Sequence, residues 1–312
     1  MSVRELPIGF YGAVMGLAGL GLTARAAAPL FPGVMRAPAY FTELWVGLGA
    51  LAFILLLAGY LAKLVRYPRA VKDEFTDPVQ LGFCSALPVG MSLVAGGVGA
   101  YSPFIGGILW WAAFVLLLAF QGWALARLLG GGIELAQVNA GWLIVFGGGF
   151  VLPGPGIALG YVEASRFSFG FSTVAASLLM PLLLYRAFAA PPLPAVLRPS
   201  WFILLAPPTL IYVNGLALYP DAAFLEILYP FSLVLAAALL LYARHLRRWP
   251  FGVPWWAFTF PLDALAYAAT RYALDRQTEL WRAVAGATLL LATLCVAMVL
   301  WRTLRSAASR RA

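Results

Sequence analysis

A phenylalanine, an acid, a phenol and a guanidinium follow one another at helical spacing near the end of the chain. They are Phe260, Asp263, Tyr267 and Arg271. Steps of three and four residues place such side chains on one face of an α-helix. Asp263 lies inside an apolar run, where an ionisable group is costly and faces a cavity or a partner. Pro261 lies in the same run, and proline breaks the hydrogen-bond ladder of a helix. We therefore predict that this face lines a cavity.

The composition excludes a soluble protein. The 312 residues are 63% hydrophobic and 11% charged, and the mean hydropathy is +0.89. A soluble domain of this length needs far more charge to cover its surface. The net charge of +9 comes from basic residues that cap apolar segments, so nucleic acid is not an expected partner. Cys84 and Cys295 lie inside apolar segments, which indicates buried thiols rather than a disulfide.

Ten apolar segments divide the chain and leave no stretch for a soluble domain. A helix needs roughly 20 mostly apolar residues to cross a bilayer. We predict an all-α integral membrane protein with a single transmembrane domain over residues 1–312 and a retained first helix. The segments run over about 8–27, 41–64, 80–99, 104–129, 138–160, 168–188, 200–218, 223–244, 254–274 and 280–302.

The basic residues predict the orientation in the membrane. Fifteen of the 21 Lys and Arg residues fall in the terminal stretches and in the connections on the side of the two termini. Lys and Arg prefer the cytoplasmic side of a membrane. Both termini are therefore predicted to be cytoplasmic.

Breaks in the helical pattern concentrate in the odd-numbered segments. Pro88, Pro153, Pro207 and Pro261 lie in the third, fifth, seventh and ninth segments. Irregular backbone at membrane depth is tolerated where it packs in protein or lines a wet cavity. The pattern favours an inner ring of odd segments and an outer ring of even ones. The alternative is that Gly and Pro only help membrane helices to pack.

Four short motifs carry a family resemblance that extends over about residues 6–302. They are PIGFYG with GLAGL at 7–20, VKDEFTDPV with SALPVGM at 71–91, LAP at 205–207 and WAFTF at 256–260. In this order they resemble the tellurite-resistance/dicarboxylate transporter family (TehA-like), whose plant members are the slow-type anion channels of guard cells.

The resemblance implies ten helices arranged as five hairpins in quasi-fivefold order, with the odd helices around a central pore. It also implies a homotrimer in the bacterial inner membrane and a pore closed by the phenylalanine that falls on Phe260. The sequence departs from the family at Val14, where a proline is common, and at Asp263, where a small neutral residue is expected. The second departure weighs against a passive, uncharged anion pore.

Aromatic and basic side chains supply further candidates for the pathway. The aromatic candidates on odd segments are Phe10, Phe83, Phe146, Phe150 and Tyr212, with packing between helices as the alternative for each. The basic candidates for the vestibules are Arg25, Arg166 and Arg271 on one side and Arg247 and Arg248 on the other. Attraction of anions is expected from these rims and from backbone dipoles at the breaks. A site this weakly charged should prefer nitrate or iodide to chloride.

The alternatives for Asp263 and for the function stay open. Asp263 is a buried, uncharged carboxyl hydrogen-bonded to a neighbour such as Tyr267, a proton-coupling group, or an ionised repellent in the pore. The chain is accordingly a channel for small inorganic or organic anions gated by Phe260, or a proton-coupled carrier of a C4-dicarboxylate or a tellurite-like oxyanion. A membrane receptor or scaffold is the third class. No metal-spaced cluster, phosphate loop or catalytic constellation occurs in the sequence, so no metal, cofactor or enzyme activity is predicted.

Overall fold

The computed structural model describes residues 3–32 and 39–309, and within these ranges the protein is helical without any β-strand. The α-helices are α1 Gly12–Ala27, α2 Ala39–Arg66, α3 Pro68–Thr76, α4 Pro78–Leu81, α5 Ala86–Gly99, α6 Pro103–Leu129, α7 Trp142–Gly147, α8 Pro153–Ala158, α9 Val162–Ala189, α10 Ala206–Leu218, α11 Leu228–Tyr242, α12 Thr259–Arg276 and α13 Glu279–Ser309. The 3-10 helices are Val3–Glu5, Ile8–Tyr11, Leu135–Gln137, Gly148–Phe150, Arg198–Leu205, Ala223–Ile227, Ala243–Arg248 and Val253–Phe258. Arg36, Arg310 and Arg311, which contributed to the predicted orientation, lie outside the described residues.

Eight helical stretches of the described residues are long and apolar enough to cross a membrane. The prediction of an all-α membrane protein is confirmed. The stretches form two classes by burial within the protein. Ile8–Ala27, Pro78–Gly99 and Arg198–Leu218 are 72–83% buried, whereas the other five are only 22–33% buried. The buried class comes from odd-numbered predicted segments and the exposed class from even-numbered ones, as expected if only the second class faces lipid.

The inner helices contact one another in a closed order. Helix α1 packs against α5 and α12, α12 packs against α10, α10 contacts α7 and α8, and α8 contacts α5. Each inner helix also packs against the helix that follows it in the chain, so that α2, α6, α9, α11 and α13 lie outside. The inner helices thus surround a common centre.

The fifth predicted segment is broken in its middle. The 3-10 turn Gly148–Phe150 separates α7 from α8. Outer helices satisfy the backbone groups that the break leaves without helical partners. Gly149 N donates to Ser172 Oγ (3.0 Å), and Gln121 Nε2 donates to Val145 O (3.0 Å). The N–H group of Gly149 therefore already has a partner and is not free to bind an anion.

The four predicted break prolines lie at the starts of α-helices rather than in their middles. Pro153 is the first residue of α8, and Pro88 lies in the first turn of α5. Pro207 and Pro261 lie in the first turns of α10 and α12, each directly after a 3-10 helix. First-turn N–H groups lack a partner one turn back within their own α-helix, so proline is tolerated there.

Two boundaries differ from the predictions for a physical reason. Helix α9 begins at Val162 instead of about residue 168, and α13 continues to Ser309 instead of ending near residue 302. Both additions are polar stretches that an apolar window leaves out. Backbone hydrogen bonds do not require apolar side chains, and a helix that leaves the hydrocarbon continues in water. Helix α3, Pro68–Thr76, forms where only a connection was expected.

Candidate functional site

Two cavities lie at the centre that the inner helices surround, and each is lined by all five inner segments. The first, called here the apolar cavity, has a volume of about 200 Å³ and includes Pro7 and Trp256 in its lining. The second, called here the arginine cavity, has a volume of about 310 Å³ and includes Arg25 in its lining. Phe260, Val151 and Leu210 line both cavities. Phe260 carries the largest of these three side chains at the boundary.

The ring of Phe260 rests against a glycine of α1. A Cβ atom at Gly19 would lie 2.9 Å from Phe260 Cδ2 and 3.1 Å from Asp263 Oδ2. Any other residue would therefore displace the ring or the carboxyl group. Phe258 lines neither cavity and packs edge-to-face on Phe202, with ring centroids 4.5 Å apart. Phe258 is therefore placed to pack helices together rather than to line the centre.

No charged residue of the described chain lines the apolar cavity. Its aromatic lining includes two of the predicted candidates, Phe83 and Phe150, together with Trp256 and Phe260. Gln80 is the polar side chain in this lining, and its amide donates to Asp77 Oδ2 (2.8 Å). An ion in this cavity would find few groups to replace its water of hydration.

The arginine cavity is lined by more polar side chains. Arg25, Thr23, Asn214 and Tyr267 contribute to its wall. Tyr267 was a predicted lining residue, and Arg25 was a predicted vestibule residue. The predicted face of α12 is therefore divided, because Phe260, Ala264 and Tyr267 line this cavity while Asp263 and Arg271 do not.

Asp263 lines neither cavity and is 1% exposed. Neither of its carboxyl oxygens has a hydrogen-bond partner among the described residues. The hydrogen bond to a neighbour such as Tyr267, which one interpretation of Asp263 included, does not occur among the described residues. The local contact of this residue is through its backbone, since Thr23 Oγ1 donates to Asp263 O at 3.2 Å.

Comparison with known sequences decides the family. Residues 5–304 match the SLAC1 family, described as voltage-dependent anion channel. The chain belongs to this family. The resemblance predicted from the four motifs is thereby confirmed over nearly the whole chain. Membership makes the protein a multi-pass membrane protein of a family of anion channels and transporters, not of enzymes.

The chain is also similar to three individual proteins. The tellurite resistance protein TehA homolog of Haemophilus influenzae is 24% identical over 271 residues, which cover 86% of this chain and 81% of that protein. An uncharacterized transporter of Methanocaldococcus jannaschii is 24% identical and is covered to 82%. The S-type anion channel SLAH3 of Arabidopsis thaliana is 24% identical over 96% of this chain. The chain spans about half of that plant channel, 48% of its length.

Three aromatic candidates for the pore lining lie outside the two cavities. Phe10 is partly buried against the core, and Phe146 stacks on Trp142 with centroids 6.1 Å apart. Tyr212 belongs to a separate aromatic cluster with Tyr229, at a centroid distance of 5.8 Å. None of the three appears in either lining. These side chains are placed to pack helices together.

The predicted vestibule arginines differ in their surroundings. Arg25 is paired with Glu43, and Arg166 with Glu163. Arg271 is paired with Asp275 at 3.0 Å, so all three carry a compensating acid. Arg247 and Arg248 lie exposed at the end of the 3-10 helix that follows α11. Of the five, Arg25 alone borders a cavity.

A buried ion pair near the N-terminus was missed by sequence reasoning. Lys63 Nζ lies 2.8 Å from Glu74 Oε1, and their side chains are only 2% and 9% exposed. Lys63 also donates to Leu6 O (2.8 Å), and the Tyr60 hydroxyl donates to Glu74 Oε2 (2.8 Å). The available signal was the spacing of Tyr60 and Lys63 by one helical turn, but α3, which brings Glu74 to them, was not predicted.

Proposed function

We propose that the protein is an anion channel that passes small monovalent anions and is gated by Phe260. In this proposal the chain crosses the bilayer ten times, as five hairpins in quasi-fivefold order, and the odd helices line the pore. The observation that carries the proposal is that one aromatic ring lines both central cavities. A cavity on either side of a ring at the centre of the helices is the arrangement that a gate requires.

The chemistry of the two walls supports a steric and dehydration barrier. An apolar ring in a narrow passage excludes ions because they cannot shed water without replacement ligands. Displacement of the ring from its seat on Gly19 would join the cavities. Anions that dehydrate easily should then pass best, so nitrate or iodide should exceed chloride in relative permeability. Reversal potentials measure this order, and a clear preference for chloride would contradict it.

Orientation and assembly belong to the same proposal. The excess of basic residues on the side of the termini supports cytoplasmic termini in a bacterial inner membrane. A homotrimer is the family expectation. In that assembly each subunit would carry its own pore, because the cavities are lined within a single chain.

The test of the gate is anion current through the purified protein in planar bilayers. Wild type should pass little current, and Phe260→Ala should pass much more. Phe258→Ala is the matched control, since it removes a neighbouring ring that lines neither cavity. Equal currents in Phe260→Ala and Phe258→Ala would contradict the gate.

A proton-coupled carrier is the second candidate, and Asp263 is the observation that favours it. The Asp263 carboxyl group is buried with no hydrogen-bond partner among the described residues, which is costly, and groups of this kind in membrane helices tend to mark functional sites. The carrier would bind a C4-dicarboxylate or a tellurite-like oxyanion and exchange a proton at Asp263. Uptake of labelled malate driven by a pH gradient, and lost in Asp263→Asn, would favour the carrier over the channel.

A further inference from the structure

The walls of the two cavities contain one charged side chain within the described residues, and it is Arg25. Arg25 lies in the last turn of α1. A lone cation facing a cavity on an otherwise uncharged pathway is placed to attract an anion, because nothing else in the lining competes with it.

Only one nitrogen of the Arg25 guanidinium, Nη2, makes hydrogen bonds among the described residues. Its Nη2 donates to both carboxylate oxygens of Glu43, at 3.0 and 3.2 Å. No hydrogen bond of its Nε or Nη1 occurs among the described residues. Arg25 and Glu43 are 30% and 34% exposed, and pairs this accessible to water contribute little to stability. A dissolved anion can therefore compete with Glu43 for the guanidinium.

Glu43 also lies near the exposed phenol of Tyr101, in the connection between α5 and α6. The side-chain interaction with the Glu43 carboxylate is the main cause of the raised pKa of Tyr101. Glu43 is not part of the cavity wall, so the pair presents its cationic partner to the cavity.

The remaining polar groups of the wall differ in their availability. Thr23 Oγ1 already donates to Asp263 O, and Asn214 Nδ2 donates to Phe150 O at 2.6 Å. No hydrogen bond of the Tyr267 hydroxyl occurs among the described residues, and this side chain lines the cavity. Guanidinium N–H groups and a phenol O–H are the donors that halides and nitrate accept.

We infer that Arg25, together with the Tyr267 hydroxyl, forms a binding site for a small monovalent anion in the arginine cavity, and that Glu43 lowers its affinity by competing for the guanidinium. This inference rests on the proposed channel function. It adds to that function a site where an anion binds next to the Phe260 gate. The volume of about 310 Å³ also leaves room for several waters, since each takes about 30 Å³.

The test measures nitrate binding by the purified wild-type protein and its variants. Nitrate replaces gluconate at constant ionic strength, and the rise in the thermal unfolding midpoint gives the apparent dissociation constant. The variants are Arg25→Gln, Glu43→Gln and the double variant. Arg166→Gln is the control, because Arg166 also has an acidic partner but lies outside both cavities.

The expected order of affinity distinguishes a specific binding site at Arg25 from general attraction of nitrate by the charge of the protein. Glu43→Gln should lower the dissociation constant about fivefold and Arg25→Gln should raise it about fivefold, the effect of one unit charge in contact in water. The double variant keeps the net charge of wild type but lacks the guanidinium donors, so it should bind more weakly than wild type. Arg166→Gln should bind as wild type does. Equal affinities in wild type and the double variant, or an equal loss in Arg166→Gln, would overturn the inference.

A second readout separates this inference from the channel proposal. The half-saturating nitrate concentration for current is measured in the Phe260→Ala background, with and without Arg25→Gln. A silent Phe260→Ala protein that still binds nitrate in the expected order would retain the site and refute the channel. If the protein conducts, but neither its nitrate dissociation constant nor its half-saturating nitrate concentration changes in Arg25→Gln, the site is refuted and the channel is retained.

Discussion

The two ends of the central pathway each carry an ion pair, and the two pairs differ in kind. Beside the apolar cavity, Lys63 and Glu74 form a buried pair, and Lys63 also donates to the carbonyl of Leu6, the residue before the cavity-lining Pro7. Beside the arginine cavity, Arg25 and Glu43 are about one-third exposed, and Arg25 belongs to the wall. The first pair is isolated from the pathway and holds helices together. The second is open to it.

The difference in burial between the two ion pairs indicates a different role for each. A buried pair has its partners fixed, and removal of one leaves an uncompensated charge. An accessible pair exchanges partners readily, since water and salt screen it. In the proposed function, the same ionic chemistry therefore serves stability at one end and anion attraction at the other.

The largest expected effect comes from breaking the buried pair. Glu74→Ala should lower the free energy of unfolding by about 3–5 kcal/mol, because Lys63 stays buried without its acid. Glu43→Ala, which removes the acid of the accessible pair, should cost about 0–1 kcal/mol. Denaturant unfolding in detergent measures both changes. Similar costs for the two variants would show that the pairs do not differ.

A carboxylate added to each cavity tests the contrast between their walls. Ala86→Asp in the apolar cavity should reduce the anion current of the Phe260→Ala channel on the order of 100-fold, because no group there offsets the charge. Ala158→Asp in the arginine cavity should reduce it only about fivefold, since that wall already holds a cation and the cavity has room for water. Currents are compared at alkaline pH. An equal loss in both variants would contradict the contrast.

A smaller effect is expected from changing the contact between Gly19 and the ring of Phe260. Gly19→Ala places a methyl group 2.9 Å from Phe260 Cδ2, so the resting position of the ring should rise in energy by about 1–3 kcal/mol. The basal anion leak of the protein should increase, because the displaced position gains population. Gly170→Ala is the matched control, as its added Cβ meets nothing within 4 Å. An unchanged leak in Gly19→Ala would argue against this seat.

The sequence predicted the helical membrane fold well because hydropathy is local. Runs such as 41–64 and 104–129 correspond to α2 and α6 with ends a few residues apart. The family was also predictable, since its motifs are contiguous. The gate candidate Phe260 came from that resemblance and not from the composition.

The contacts that define the two cavities could not be predicted in this way. Gly19 and Phe260 are far apart in the chain and meet only when α1 packs on α12. The pairing of Lys63 with Glu74 depends on α3, whose amphipathic residues gave no transmembrane signal. Asp263 was expected on the lining face, yet its carboxyl group lies next to Gly19 of α1 and not in the cavity lining.

The most direct test of the account is the unitary anion conductance of a size series at Phe260. The variants Phe260→Leu, Phe260→Val and Phe260→Ala remove progressively more of the side chain that separates the cavities. If the ring is the barrier, conductance should rise stepwise from wild type to alanine while the preference for anions over cations persists. Conductance that is absent throughout, or independent of the size of this side chain, would contradict the account.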